Sequence, residues 1–451
     1  MKPPPLRYVR PGTVADALTL IDGASRPLAG GQSLMPLLNL RQRDVHCLVD
    51  LAAIPELQRL ELCGDELVIG AGVVLTRVEN DPVARVHAGA LVHALKLVAN
   101  PQVRARGTIG GNLAHGDPVS EVATALIALE AAATVHGPAG SRRTPVEGLE
   151  LDDTELLVDV RIPADATPLP GAVREVAARY AARALVVAVA VARLDERGTI
   201  ERARIAVGGV AAAPAALGGL GRLRGLRPEH SETADAIQTA VAALSSTTDP
   251  RADEAYRRGT AAELAVRVLR DIATEPTIHP GQDLAPPAAA LKLRAPSPSV
   301  TEHDSEVEID VTVNGRRRRP RVSPRLLLSD LIRGQLGLHA THVGCEQGVC
   351  GACNVLVDGV AMRSCLMLAI QADGRDVETL EGLRDAPLVA EIVDRFVSGH
   401  ALQCGFCTPG FIVTLAELRR RGAAITPEHL VGNICRCTGY APIMRVIEGL
   451  S

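Results

Sequence analysis

Aromatic side chains are almost missing from this chain. Phe, Trp and Tyr make up 2% of its 451 residues, and Trp is absent. Its cores must therefore be packed mainly from Ala, Val, Leu and Ile, which supply most of the 47% apolar content. Neither sign of charge dominates, for the formal net charge is −4. A nucleic-acid footprint needs basic residues gathered on one face. The one local basic block, Arg316–Arg319, follows the hairpin-turn signal Val313-Asn314-Gly315 and reads as a solvated second strand. Long apolar runs are also missing. The most apolar stretch, Ala184–Val191, is too short to span a bilayer and suits a buried strand. The start, Met1-Lys2-Pro3-Pro4-Pro5, lacks the apolar core of a secretory signal. These absences predict a cytoplasmic protein with no membrane span and no nucleic-acid partner.

Cysteine is scarce over the first three-quarters, where only Cys47 and Cys63 occur. Both lie among apolar residues and are expected as small core residues. The other eight are Cys345, Cys350, Cys353, Cys365, Cys404, Cys407, Cys435 and Cys437. Such close spacing, with no secretory signal, points to metal rather than disulfides.

The length suggests about three domains of ordinary size. The segment 276–305, with Pro276, Pro280, Pro286, Pro287, Pro296 and Pro298, reads as an extended linker. Before it, a boundary near Pro163–Pro170 separates 1–170 from 171–275. Strands are expected at Cys47–Leu51, Leu67–Ile69, Leu185–Leu194 and Ile205–Val210, and helices at Thr13–Ile21, Val119–Ala133, Thr233–Ala243 and Ala252–Ile272. Beyond the linker, 306–383 reads as a small β-rich unit with a helical period at Leu326–Leu336. Residues 384–451 read as mainly helical, with helices at Leu388–Ser398, Phe411–Arg421 and from Pro442.

Cys345, Cys350 and Cys353 have the spacing C-x4-C-x2-C, with Cys365 following, which is the plant-type 2Fe–2S ligand pattern. Gly344, Gly348 and Gly351 permit positive φ and a close approach of backbone to a cluster, with amides able to donate to its sulfurs. A zinc site would favour two C-x2-4-C knuckles, which this triple does not form. The second set, Cys404-Gly405-Phe406-Cys407 with Cys435-Arg436-Cys437, does form two knuckles. Taken alone it admits either a second cluster or a four-thiolate zinc.

Two glycine motifs stand out earlier: Ala29-Gly30-Gly31-Gln32-Ser33-Leu34, and Thr108-Ile109-Gly110-Gly111-Asn112 followed by Asp117-Pro118. Neither fits a Rossmann or P-loop pattern. Paired glycines can converge their amides into an anion nest suited to pyrophosphate, with Ser33 and Thr108 adding hydroxyls. They can equally mark two turns.

The wording around these residues resembles the molybdenum hydroxylases, the xanthine dehydrogenase and carbon monoxide dehydrogenase family. Gln403–Gly410, Gly432–Tyr440 and Thr379-Leu380-Glu381-Gly382-Leu383 are similar to its two-cluster small subunit, over about Val307–Gly449. Residues about 3–272 resemble its FAD-binding medium subunit. The resemblance implies an α+β multidomain chain. Its parts would be a FAD-binding fold of two α/β subdomains (1–170), an α+β flavoprotein C-terminal domain (171–275), a β-grasp 2Fe–2S ferredoxin domain (306–383) and a four-helix 2Fe–2S domain (384–451). It implies that Ala29, Gly30, Gly31, Gln32, Ser33 and Leu34, with Thr108, Ile109, Gly110, Gly111 and Asn112, bind FAD phosphates and ribityl. Asp117 and Leu157 match positions close to FAD, and Gln403 matches one facing the pterin. Two departures are visible. Ala181-Ala182-Arg183 replaces the Gly-Asp-Phe of many members, and Ala105 stands where many carry a polar residue.

The implied function is electron transfer within a molybdenum-dependent hydroxylase. Electrons from a molybdopterin-binding large subunit would pass through the later four cysteines' cluster, then the earlier four's, to FAD. The assembly expected is a dimer of heterodimers, with the molybdopterin cofactor only on the partner chain. In xanthine dehydrogenase-like chains the iron–sulfur module precedes flavin, whereas here flavin comes first. A different reading is a stand-alone FAD/2Fe–2S reductase fed by NAD(P)H.

Overall fold

With so few aromatics, helices and strands must interlock through small aliphatic side chains, and the computed structural model follows that rule. It describes residues 2–164, 168–274, 302–303 and 305–450. Most of the Pro-rich segment expected as a linker, and part of the boundary near Pro163–Pro170, lie outside the described residues. Two compact units cut across the chain order. One comprises Met1–Pro55, Asn100–Gly107 and Ala285–Ser451; the other comprises Glu56–Ala99 and Thr108–Leu284.

The second unit holds two antiparallel sheets. One orders its strands Leu60–Cys63, Glu66–Gly70, Leu156–Pro163, Ala132–Gly137 and Gly140–Pro145. The other orders Ala215–Ala216, Ile200–Gly208, Ala184–Leu194 and Gly171–Ala177. Ala184–Leu194 is buried along nearly its whole length, which explains why it reads as an unbroken apolar run. Helix Glu254–Thr274 packs on it with Ala261, Leu264, Ala265, Val268, Leu269 and Ile272 at helical spacing. This core contains only Ala, Val, Leu and Ile among its buried members.

The expected helix Val119–Ala133 is shorter, Glu121–Ala128. Glu130 takes a left-handed φ of 54°, which breaks the helix and lets Ala132–Gly137 run on as a strand. Cys63 is exposed on the edge strand Leu60–Cys63, correcting its reading as a core residue, whereas Cys47 is buried. Its apolar sequence neighbour Leu62 is exposed as well, so local composition misled here.

In the first unit, Arg7–Val9, Cys47–Asp50 and Ser25–Leu28 form a parallel sheet, with Glu302–His303 added antiparallel at the edge. A five-stranded sheet orders Arg316–Arg318, Val311–Val313, Asp376–Glu378, Asn354–Val357 and Val360–Arg363. Its parallel contact between Val311–Val313 and Asp376–Glu378, flanked by antiparallel pairs, is the β-grasp arrangement. Arg316–Arg318 is fully exposed, as the turn at Asn314-Gly315 required. The helical period at Leu326–Leu336 resolves into one short α-turn, Leu328–Asp330, followed by a π-helical turn, Leu331–Gln335. Helices Leu380–Leu383, Pro387–Ser398, Thr408–Arg420 and Ala441–Glu448 complete the unit. No helix among the described residues is long and apolar enough to cross a membrane.

Candidate cofactor sites

The earlier cysteines are gathered by a hairpin. Asn354–Val357 pairs with Val360–Arg363, and Asn354 faces Arg363 across the ladder. Cys353 and Cys365, just outside the paired residues, are thereby brought together. The Ser364 hydroxyl donates to Cys353 O at 2.7 Å and closes the end. Cys345 and Cys350 sit in the preceding loop, where Gly348 and Gly351 have φ of 77° and 73°. Gly344 does not; Glu346, at 55°, takes the third left-handed position. The amides donating to Cys345 Sγ belong to Gln347 (3.5 Å) and Cys350 (3.4 Å), not to the glycines. The neighbouring Cys350 and Cys365 thiols drive the Cys345 thiol well below its ordinary value. The Cys365 thiol in turn lowers Cys353 to about 7, outweighing burial, which raises it. The four thiols thus bear on one another electrostatically, with Cys353 and Cys365 each 1% exposed.

The later cysteines meet in two pairs. Cys404 and Cys437 stand 3.5 Å apart at the surface, and Cys407 lies near enough to Cys435 for its thiol to feel it. Cys407 precedes helix Thr408–Arg420, with Pro409 in the first turn, where its missing N–H costs nothing. Burial, then Cys435, pushes the Cys407 thiol up to about 12. Burial also pushes Cys435 up, but the Thr438 hydroxyl (3.2 Å) and amide (3.4 Å) donate to its sulfur and hold it below its ordinary value. A 2Fe–2S cluster takes two thiolates on each of two irons, whereas zinc gathers four about one centre. The pairwise contacts fit the former. Gln403 is exposed beside Cys404.

The two glycine loops belong to different units. Ala29–Leu34 leads from strand Ser25–Leu28 into helix Leu34–Asn39, with Gly31 at φ 73°. A Cβ on Gly30 would collide with the Arg106 carbonyl, so only glycine fits there. Gly30 and Gly31 are buried, and among the described residues no protein acceptor takes the amides of Gly30, Gly31, Gln32 or Ser33. Gln32 Oε1 is also buried without a partner, while its Nε2 donates to Gly30 O. Buried backbone donors are seldom left unpaired, so this loop suits an anionic group such as the FAD pyrophosphate.

The second loop is spent differently. Thr108 caps helix Ile109–His115, its Oγ1 accepting from Gly111 N at 3.0 Å. The Gly110 amide donates to Ala71 O at 2.9 Å. Of the two readings open for Gly110-Gly111, a nest or a turn, these bonds favour the turn: the glycines let the helix start pack against Ala71, whose Cβ a side chain on Gly110 would meet at 2.5 Å. Asn112 Oδ1 accepts from the Ser120 hydroxyl at 2.6 Å. Asp117 accepts two bonds from Arg183, at 2.8 and 2.6 Å, so the departure at 181–183 supplies that carboxylate's own cation. Leu157 is 3% exposed within strand Leu156–Pro163.

Sequence reasoning missed a set of buried polar groups in the first unit. The Tyr8 hydroxyl donates to Asp50, which also accepts from Gln371 at 3.1 Å; Arg10 donates to the same hydroxyl at 2.8 Å. Arg363, 1% exposed, is bonded to four separate segments. No motif announces either group, because the partners lie far apart in the chain.

Three family models match. The FAD binding domain in molybdopterin dehydrogenase covers residues 4–165, the CO dehydrogenase flavoprotein C-terminal domain covers 172–272, and the 2Fe–2S binding domain covers 379–448. The nicotine 6-hydroxylase small subunit of Paenarthrobacter nicotinovorans is 47% identical over 139 residues, 30% of this chain and 84% of that one. The carbon monoxide dehydrogenase medium chain of Hydrogenophaga pseudoflava is 34% identical over 282 residues, 60% of this chain and 97% of that one. Among solved structures, the carbon monoxide dehydrogenase of Hydrogenophaga pseudoflava aligns at a TM-score of 0.57 and 32% identity, over 60% of this chain and 98% of that one. These relatives are subunits of hydroxylases and dehydrogenases, which favours the electron-transfer subunit and not the stand-alone NAD(P)H reductase. Medium-subunit likeness over the first 60% of the chain and small-subunit likeness near its end place it in the molybdenum hydroxylase family, as an oxidoreductase subunit that joins the FAD-binding and 2Fe–2S-binding parts in one polypeptide.

Proposed function

We propose that Cys345, Cys350, Cys353 and Cys365 hold one 2Fe–2S cluster, that Cys404, Cys407, Cys435 and Cys437 hold the other, and that the loops Ala29–Leu34 and Thr108–Asn112 hold FAD. Asp117 and Leu157 would stand close to that flavin. These groups, when bound, supply one-electron conduction and the exchange between one and two electrons; the chain supplies their placement. The observation that carries the reading is the placement of the eight thiols in two separate sets: the Cys350 amide donates to Cys345 Sγ at 3.4 Å and the hairpin end brings Cys353 and Cys365 together in one, and Cys404 and Cys437 stand 3.5 Å apart in the other. Cys404, Cys437 and Gln403 are exposed, whereas Cys353 and Cys365 are buried. That contrast supports an order in which the later set faces a molybdopterin-binding large subunit and the earlier set lies inward. Gln403 would touch the pterin of that partner. We assign the assembly as a dimer of heterodimers, and the cytoplasm as its compartment because a reducing milieu keeps eight closely spaced thiols available as cluster ligands rather than disulfides.

Purification of the chain with its native neighbours tests the reading. A large molybdenum-bearing chain should accompany it, with iron and acid-labile sulfide each at about four per chain. Zinc in place of iron, or a monomer that rapidly reduces dyes with NAD(P)H, overturns it.

A further inference from the structure

Arg363 ends the strand Val360–Arg363, two residues before Cys365. Its guanidinium is fully buried and every acceptor around it is a neutral oxygen. Nε donates to Gly348 O at 3.0 Å, inside the loop between Cys345 and Cys350. Nη1 donates to Asn354 Oδ1. Nη2 donates to Gly432 O at 2.6 Å, to Asn100 Oδ1 at 3.3 Å and to Gln102 Oε1 at 3.5 Å. No carboxylate pairs with Arg363 among the described residues. The ionisable side chains that bear on it most strongly are the thiols of Cys353, Cys365, Cys350 and Cys345.

A guanidinium cannot shed its proton in a protein, and a buried charge without a partner is costly. Neutral hydrogen bonds satisfy its donors but leave its charge uncompensated. The opposite charge that answers it must come from thiolates. We propose that Arg363 is a positioning residue whose fixed cation is the counter-charge of the earlier cysteine set, and that it raises the reduction potential of the cluster held there. The proposal rests on the ligand assignment made above. Reduction adds one negative charge to a tetrathiolate cluster, and a buried cation beside it favours the reduced state. The guanidinium also ties the earlier loop to Gly432, three residues before Cys435, and so fixes both sets about one charge.

The test uses the assembled complex with R363M, R363Q and R363K, titrated potentiometrically while both cluster EPR signals are followed. The signal lost in C345A identifies the earlier set. R363M and R363Q should lower that set's midpoint and move the other set's less, and R363K should recover at least half of the shift. Unchanged midpoints in the neutral variants, or an R363K midpoint as low as theirs, overturn the proposal. Should only R363K assemble, a midpoint near the wild-type value supports it and a lowered one overturns it. Wild-type complex that lacks two iron–sulfur signals would instead sink the ligand assignment itself.

Discussion

The amide of Ile434 donates to the carbonyl of Cys350 at 2.9 Å, so a single backbone hydrogen bond joins the two cysteine loops. Gly351 beside it has φ 73°, and a Cβ there would collide with the Gly432 carbonyl. Gly410, in the first turn of Thr408–Arg420, approaches Gly351 O just as closely. At Gly351 and Gly410 the two sets are therefore packed backbone to backbone, with no room for a side chain on either glycine. G351A should cost about 1–2 kcal/mol for the left-handed conformation alone, and more as the loops part. EPR should then show altered magnetic interaction between the clusters, with reduced iron content. Unaltered spectra would mean that this contact does not set the spacing.

Asn39 ties the earlier cysteine set to itself. Its side chain is fully buried, and Nδ2 donates to Glu346 O at 2.8 Å and Cys365 O at 3.0 Å. N39A leaves two carbonyls of the earlier cysteine set unpaired, at about 1–3 kcal/mol. Calorimetry should show a lowered Tm, and iron loss on mild heating should come sooner than in wild type.

Gly31 offers the test of the proposed FAD loop. G31V forces a β-branched residue into a left-handed φ, with Met35 Cγ 3.1 Å from the new Cβ. It should distort the loop whose amides find no protein acceptor among the described residues. The purified complex should show at least a several-fold loss of flavin absorbance; full occupancy would remove this loop from the FAD site.

Cysteine spacing was legible because a cluster demands particular ligands at short separations. The helices and long strands were legible because Glu254–Thr274 and Ala184–Leu194 bury regular faces. What stayed hidden depends on distant partners. Arg363 meets Asn100 and Gln102 across more than 260 residues, and nothing local marks it. The Gly110-Gly111 pair reads as a turn or a nest, yet Ala71 and Thr108 decide that it is a helix start. Glu130 stops a helix that apolar periodicity would have carried on.

Arg183 changes how Asp117 responds to acid. Burial pushes the Asp117 carboxyl up, and hydrogen bonds from Arg183 outweigh that and hold it below its ordinary value. A carboxylate so lowered stabilises the fold above its unfolded pKa and loses that contribution as pH falls through the folded one. Because Arg183 is 47% exposed at its side chain, the pair is worth at most about 1 kcal/mol. R183A should therefore lower Tm slightly at pH 7, and the difference from wild type should shrink as pH falls below about 4. A difference that persists in acid would assign Arg183 a role other than charge.

Glu121 and Glu175 respond in the opposite sense. Glu121, buried in the first turn of Glu121–Ala128, is pushed up to about 8, chiefly by burial, with Glu175 and Asp117 adding to it. Glu175 is pushed up to about 7, again by burial first, and its Oε2 is buried without a partner. Two such carboxyls are held protonated in the fold but ionise near pH 4 when unfolded. Their contribution is complete below that value and is lost as pH rises toward 7–8. E121Q keeps the shape without the charge. Its Tm, relative to wild type, should therefore rise steadily between pH 5 and pH 8.5. A constant difference across that range would show that the pair is already ionised in the native protein.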